Sequence, residues 1–349
     1  MPKRYLFFVS LPYAYPILRP LESEILRRGG RVAWYLEKGC KDLLTPADTR
    51  LRTFSEVRKY NPIAVFAPGN YIYDFFPGVK VCLFHGYPIN KRREHPDNHF
   101  RLRGWFDILC TQGPSSTKPF QRLADEQGYF KVYETGWCKV DGFLPLDSPT
   151  PMQQGKRPTI LYASTFTKGI TSIAELRETI ERLAAEKPWN WIITTHPKYR
   201  DWNVINQYLE LPKRYPNVRI EAYANNAEIY RQCDAMLCDN SSIIVEFMLF
   251  NRPVVTFRNW NPGHHLINVS NPDEVGPALE RALTRPADLM QSIAEYTSLH
   301  EAHRDGHNSA RVLDAVDDFI ANYKGRLRHK PLNLLRKIKL RWKLKKFIL

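Results

Sequence analysis

Two histidines and one hydroxyl-rich turn carry the residue types with which this chain could do chemistry. His85 stands in His85-Gly86-Tyr87-Pro88, directly after the apolar run Val79–Phe84, and His196 stands in His196-Pro197-Lys198, after Trp191–Thr195. The turn is Asp239-Asn240-Ser241-Ser242, between Ala235–Cys238 and Ile243–Phe250. An imidazole near pKa 6.5 suits the removal of a proton from a hydroxyl at neutral pH, which assigns the base role to His85. Gly86 beside it permits a close backbone approach. Ser, Asn and Asp cap helices, and a helix starting there aims free N–H groups and its positive end at an anion, most usefully a diphosphate. The plainer readings are a satisfied structural histidine and an ordinary helix cap.

Other polar residues gather around these in sequence. Lys91, Arg92 and Arg93 place positive charge behind His85, so Lys91 and Arg92 are candidate acceptor or phosphate contacts. Thr165 and Lys168, in the polar loop 164–169, are candidates to complete a ring of donors. Glu246 lies one turn into the helix, in reach of a ribose hydroxyl or at the edge of the core. Arg311 alone reads as an exposed helix residue, although the planar fork of arginine suits phosphate. No Asp-x-Asp pair ends a strand, and no His/Cys/Asp cluster has metal-ligand spacing, so metal-independent chemistry without a cofactor is expected. His264-His265 is a metal pair by composition alone, or part of a loop.

The elements that must position these groups alternate. Tyr5–Val9 reads as a strand, residues 16–28 as a helix stopped by Gly29-Gly30, and Val32–Leu36 as the next strand. A helix near 53–60 and strands at Ile63–Ala67, Val79–Phe84, Ile108–Thr111 and around 132–136 follow. Residues 145–158, with four prolines and no periodicity, read as an interdomain linker. The alternation then restarts with strands at 159–163, 191–195 and 218–221 and helices at 172–186 and 225–232. Next come the central strand–turn–helix, a stop at Asn251-Arg252-Pro253, and the strand through Val254–Phe257. Helices at 273–283, 291–305 and 310–323 complete it. Strand–helix–strand spacing of this kind predicts parallel sheets with right-handed crossovers. The fold class is therefore α/β, with two Rossmann-like domains facing a cleft, over 1–150 and 151–324, and a tail over 325–349.

At 349 residues the chain is long enough for two cores, and 43% apolar with 13% aromatic residues is a globular composition. Six scattered cysteines without a C-x-x-C pair fit a reduced compartment. Residues 326–349 hold ten of the Lys and Arg and no acid, so ten of the formal +15 sit there and the other 325 residues carry only +5. Leu334, Leu335, Ile338, Trp342 and Leu344 fall mostly on one stripe of that tail, which predicts a basic amphipathic helix lying on an anionic membrane rather than on nucleic acid. With no apolar run near the ~20 residues of a span, the expected location is cytoplasmic, attached to the inner face of the membrane.

Six fragments in order resemble the CDP-glycerol glycerophosphotransferases, the teichoic-acid polymerase group with a GT-B fold. They are His85–Pro88, Thr135-Gly136-Trp137-Cys138-Lys139-Val140-Asp141, Ile160–Phe166, His196-Pro197, Asp239–Ser242 with Asn251-Arg252-Pro253, and Asp305-Gly306 with Ser309 and Arg311. The resemblance implies transfer of a polyol phosphate from a CDP-activated donor to a hydroxyl of a surface-glycan or lipid-linked acceptor. It also implies His85 as the catalytic residue, with His196, Ser241, Ser242 and Arg311 on the donor phosphates. Two departures are visible: Tyr87 where the family usually has Thr, and Glu246 where it usually has Asp. Two alternatives stay open, a GT-B glycosyltransferase using a CMP- or UDP-sugar in capsule or lipopolysaccharide synthesis, and a membrane- or nucleic-acid-associated binding protein without turnover.

Overall fold

A computed structural model describes residues 1–89, 99–146, 156–196, 198–221 and 226–344, without the side chain of Asn226. Lys91, Arg92 and Arg93, Pro197, most of the expected linker and the last five residues lie outside it. The chain divides into two compact units, one made of residues 1–87, 98–144 and 299–349, the other mainly of residues 145–298.

The first unit begins with β1 (Arg4–Val9), α1 (Tyr15–Arg27), β2 (Arg31–Leu36), β3 (Arg50–Leu51), α2 (Phe54–Tyr60), β4 (Ala64–Ala67) and β5 (Val79–Cys82). It continues with β6 (Ile108–Thr111), α3 (Pro114–Gln127), β7 (Lys131–Glu134) and α4 (Cys138–Asp141). Its seven parallel strands lie in the order β3-β2-β1-β4-β5-β6-β7. The strands are apolar runs because both faces are covered. Leu6 and Phe8 face one core with Val65, Ala67 and Phe120, and Phe7 packs edge-on against Trp34 and Phe66. The order reverses between β1 and β4, and in such sheets ligands sit at the carboxyl ends beside that reversal.

The second unit comprises β8 (Thr159–Ala163), α5 (Arg177–Glu186), β9 (Asn190–Thr194), α6 (Trp202–Arg214), β10 (Val218–Glu221) and α7 (Asn226–Gln232). β11 (Ala235–Cys238), α8 (Ile243–Met248), β12 (Val254–Phe257), β13 (Ile267–Val269), α9 (Val275–Leu283) and α10 (Ala287–His300) follow. Its six parallel strands run β10-β9-β8-β11-β12-β13, with the reversal between β8 and β11. Ile160, Tyr162, Trp191, Ile193, Leu237 and Val255 form its core.

α10 returns the chain to the first unit, where α11 (Asn308–Asn322) and α12 (Leu334–Leu344) belong. The expected second domain, 151–324, is therefore too long at its C-terminal end. The reason is local. Asp141 accepts from the N–H groups of Asn308 at 3.0 Å and Ser309 at 2.7 Å, capping α11 across the sequence. Lys3–Asp317 at 2.7 Å, Arg28–Asp314 at 2.6 Å and Tyr133–Asp318 at 2.5 Å hold the rest of the helix to the first sheet.

The described part of the expected tail, residues 325–344, is not separate either. Arg328 N–H donates to Gly128 O at 3.0 Å, and Lys330 pairs with Asp107 at 2.7 Å. Asn333 Nδ2 donates to Arg103 O at 3.0 Å, Arg341 reaches Asp74 at 3.1 Å, and Lys343 reaches buried Glu37 at 3.0 Å. Leu340 is buried in the first core with Leu344 against it. α12 is thus a strap strapped down along one side; Leu334, Leu335, Ile338 and Trp342 remain exposed on it.

Candidate active site

The second unit builds a polar mouth from the loops that leave β9, β8, β11 and β12. The parallel register sets Ala163 beside both Thr194 and Cys238, so His196, Thr165 and Ser241 leave the same edge of the sheet. Asp239 ties two of these loops together. It is fully buried and accepts from Thr165 N–H at 2.9 and 3.0 Å, Ser172 N–H at 3.1 Å and Ser172 Oγ at 3.3 Å. Burial pushes its carboxyl up to about 6, against the backbone donors that favour the ionised form. Because Ser172 is held this way, the expected helix over 172–186 begins only at Arg177. The His196 ring packs on Phe166 at 4.3 Å and takes Lys198 N–H on Nδ1 at 3.1 Å, joining the β8 and β9 loops. Lys168 is exposed on the same loop as Thr165.

Ser241 and Ser242 are half-buried at the start of α8. Their side chains do not cap it: Ser242 makes no side-chain cap bond, and Asp239 faces back to β8. Instead their carbonyls accept from Ile244 and Val245 N–H at 3.2 Å. α8 is only six residues long, so its dipole is a smaller source of anion affinity than the expectation assumed. Glu246 is 5% exposed and accepts from the Tyr230 hydroxyl at 3.4 Å, the core-edge position. Asn251, at φ +55°, closes the helix where the stop was expected. Beside Asn240 a cavity of about 150 Å³ is lined by Thr171, Ser172, Arg258 and Trp260, with Arg258 held by Glu175 in two bonds at 2.6 and 2.8 Å. His265 is stacked on Tyr296 at 3.5 Å, and among the described residues no group of three or more His, Cys, Asp or Glu is arranged to hold a metal.

The first unit places His85 at its own carboxyl edge, one strand from the reversal. β5 ends at Cys82 rather than Phe84 because Phe84 turns into the left-handed region at φ +55°. That turn sends the Phe84 ring inward and His85 outward. His85 Nδ1 lies 3.3 Å from Pro68 O, and the ring stacks on Tyr13 at 5.1 Å. With the proton on Nδ1 and directed to that carbonyl, Nε2 carries the lone pair a base needs. Arg311 also belongs to this unit. Its guanidinium grips Asp305 through two bonds, at 2.8 and 2.6 Å, and touches Asn308 Oδ1 at 3.3 Å. That grip holds the Asp305 carboxyl well below its ordinary range.

Much of what sequence reading missed is the support for these loops. Asp239 stood inside a singled-out motif, but its role as a tie was invisible without the β8–β11 pairing. Tyr13 and Pro68 carry no signal beyond their types. Glu301 is a lone acid at a helix end in sequence, yet in the structure it is 1% exposed and accepts from Tyr87 OH at 2.7 Å.

Two parallel sheets, each with polar loops at its carboxyl edge beside a strand-order reversal, define an α/β fold of the GT-B class. The profile of the CDP-glycerol:poly(glycerophosphate) glycerophosphotransferases matches residues 139–318, more than half of the chain, and the chain belongs to that family. Similar solved structures agree in fold. The wall teichoic acid polymerase TagF superposes with TM-score 0.63 at 13% identity, over 91% of this chain and 89% of that one. A TagF variant soaked with CDPG gives 0.63 at 15%, over 92% and 90%. MnaA of S. aureus, in complex with UDP, gives 0.64 at 14%, over 94% and 99%. A search of curated proteins returns no match.

Proposed function

We propose that this chain transfers a polyol phosphate, glycerol phosphate or a close relative, from a CDP-activated donor to a hydroxyl of a surface-glycan or lipid-linked acceptor. The observation that carries the reading is the mouth at the β8–β11 reversal, which lies wholly inside the family-matched residues 139–318. Thr165, Lys168, His196, Ser241 and Ser242 of the second unit hold the diphosphate. Fixed donors of this kind stabilise charge that grows on the leaving group, usually the largest catalytic contribution. Arg311 is left out of this set, because its fork is already filled by Asp305. His85 of the first unit takes the acceptor hydroxyl's proton. The hydroxyl oxygen bonds to the phosphorus that carries the polyol, the bond from that phosphorus to the bridging oxygen breaks, and CMP leaves with the electron pair.

Purified protein offered CDP-glycerol, CDP-ribitol, and CMP- and UDP-sugars in parallel tests this directly. Release of CMP from a CDP-polyol is expected. Turnover of a UDP- or CMP-sugar alone would replace phosphotransfer with glycosyl transfer. His85→Ala is expected to slow turnover by about 10²–10⁴-fold with CMP affinity within a fewfold; undiminished turnover would remove His85 from the mechanism.

We propose further that the protein works attached to the inner face of the membrane. Among the described residues no helix is long and apolar enough to cross a bilayer. Support comes from the outward side of α12, where Leu335 is 85% and Trp342 71% exposed among cations. A helix of this composition buries its apolar side at the headgroup boundary, and each nearby cation adds ~1 kcal/mol on an anionic leaflet. Leu335→Glu with Trp342→Glu should abolish co-sedimentation with anionic vesicles; equal binding would end the membrane proposal.

A further inference from the structure

Phe84, His85, Gly86 and Tyr87 are each held by contacts within the first unit. Phe84, in its left-handed conformation, packs on Phe120 at 5.2 Å and on His99 at 5.7 Å. A bulky residue there is strained, and persists only where its surroundings hold it. Gly86 O accepts from Gln112 Nε2 at 3.1 Å, and Gln112 is fully buried. Tyr87, 3% exposed, donates its hydroxyl to Glu301 Oε2 at 2.7 Å while its ring packs edge-on against Trp137 at 5.2 Å. Oε1 of Glu301 accepts from Trp137 N–H at 3.0 Å and from Asn308 Nδ2 at 3.1 Å. Gly136, at φ +72°, leaves room for this cluster: a Cβ there would stand 2.6 Å from Glu301 Oε1. Arg304 and Asp141 are further charges that act on Glu301, and the His300 ring lies 6.3 Å from Tyr87.

We propose that Tyr87, anchored by Glu301, and Gln112 are positioning residues for His85. They fix the two peptide units that follow the histidine, so that the imidazole meets Pro68 O through Nδ1 and presents Nε2. The proposal rests on the reading of His85 as the base. It also gives the departure at Tyr87 a purpose, since a threonine hydroxyl is too short to span the distance that the phenol covers to Glu301. An imidazole tilted by about 1 Å from its productive place loses up to ~10²-fold in rate.

Ring ¹⁵N shifts of histidine-labelled full-length protein supply a readout independent of any donor. In Tyr87→Phe, which keeps the ring on Trp137, the His85 signals are expected to move toward mixed tautomers, while those of His196 stay in place. Gln112→Ala should move His85 in the same direction. Glu301→Gln, whose amide still meets the Tyr87 hydroxyl, should leave His85 near its wild-type signature. In turnover, Tyr87→Phe should lose about 10–100-fold in kcat with the donor KM within about twofold. In a His85→Ala background it should lose nothing further. Unmoved His85 signals, or losses that simply multiply in the double variant, would overturn the proposal. Full turnover by His85→Ala would instead sink the base assignment, leaving the ring signals to decide whether the segment is positioned by this pair.

Discussion

At the scale of single residues, two buried carboxyls make the pH dependence of stability legible. Burial pushes the Glu301 carboxyl up to about 8 and that of Asp239 up to about 6, from ordinary values near 4. A raised folded-state value means that the native protein binds the proton more tightly than the unfolded chain. Stability from Glu301 is therefore fully present below pH ~4 and declines as pH rises toward 8, where the slope ends. Asp239 acts with the same sign but is finished near pH 6. The paired acids Glu24, held down to about 2, Asp48 and Asp305 act with opposite sign and only at lower pH. Between pH 6 and 8 the slope of these carboxyls belongs to Glu301 alone. Melting temperature should fall across that window in the wild type and more weakly in Glu301→Gln; parallel curves would show that Glu301 is not the titrating group. Gly136 belongs to the same cluster. Gly136→Ala adds a left-handed alanine and a Cβ 2.4 Å from Asn308 Oδ1, so urea unfolding should report a loss of about 2–4 kcal/mol.

At the scale of elements, the reading succeeded where the physics is local and failed where partners lie far apart in sequence. Buried parallel strands announce themselves as apolar runs such as Leu6-Phe7-Phe8-Val9 and Val254-Val255-Thr256-Phe257, and their helices by periodicity and stops. β3, a two-residue edge pair, carries no pattern, and α6, capped by Asp201 at 3.1 and 3.3 Å, holds Pro212 within its last turns, a residue type that argues against a helix there. α12 was read as one amphipathic face when it has two roles. Periodicity sets Leu344 on one stripe with Trp342, but only the fold says that Leu344 packs on a core beside buried Leu340 while Trp342 stays 71% exposed. Nor does composition reveal that Arg341 and Lys343 answer Asp74 and Glu37, some 270 and 300 residues earlier. The consequence is testable on the isolated protein. Leu340→Ala should cost about 2–4 kcal/mol in urea unfolding, whereas Trp342→Ala should stay within about 0.5 kcal/mol. A chain ending at Lys324 should be destabilised for the same reason, which makes point substitutions the cleaner probe of membrane attachment.

At the scale of the whole molecule, the candidate site was legible as separate pieces. The two histidines and the serine turn each sit at the carboxyl end of a parallel strand, so residue type and strand order sufficed to find them. Ownership was not legible, because Asp305, Asn308 and Arg311 follow the second sheet in sequence but belong to the first unit, where Asn308 meets Asp141 and Trp137 and Arg311 grips Asp305. This assignment separates two accounts of where the donor binds. On the proposed reading the loops at the β8–β11 reversal hold the nucleotide, which stabilises the state it binds by RT ln(1 + [L]/Kd), about 2.7 kcal/mol at a hundredfold excess over Kd. Hydrogen exchange with CMP present should therefore slow in the loops over 164–172 and 239–245, with residues 305–311 unchanged. Arg311→Gln should weaken the Asp305 contact and the α11 start, lowering the melting temperature while CMP affinity stays within a fewfold. Protection of 305–311 by CMP, or a tenfold loss of CMP affinity in Arg311→Gln at an unchanged melting temperature, would mean that the guanidinium exchanges Asp305 for a phosphate when donor arrives. The proposed cradle would then need a residue from the first unit.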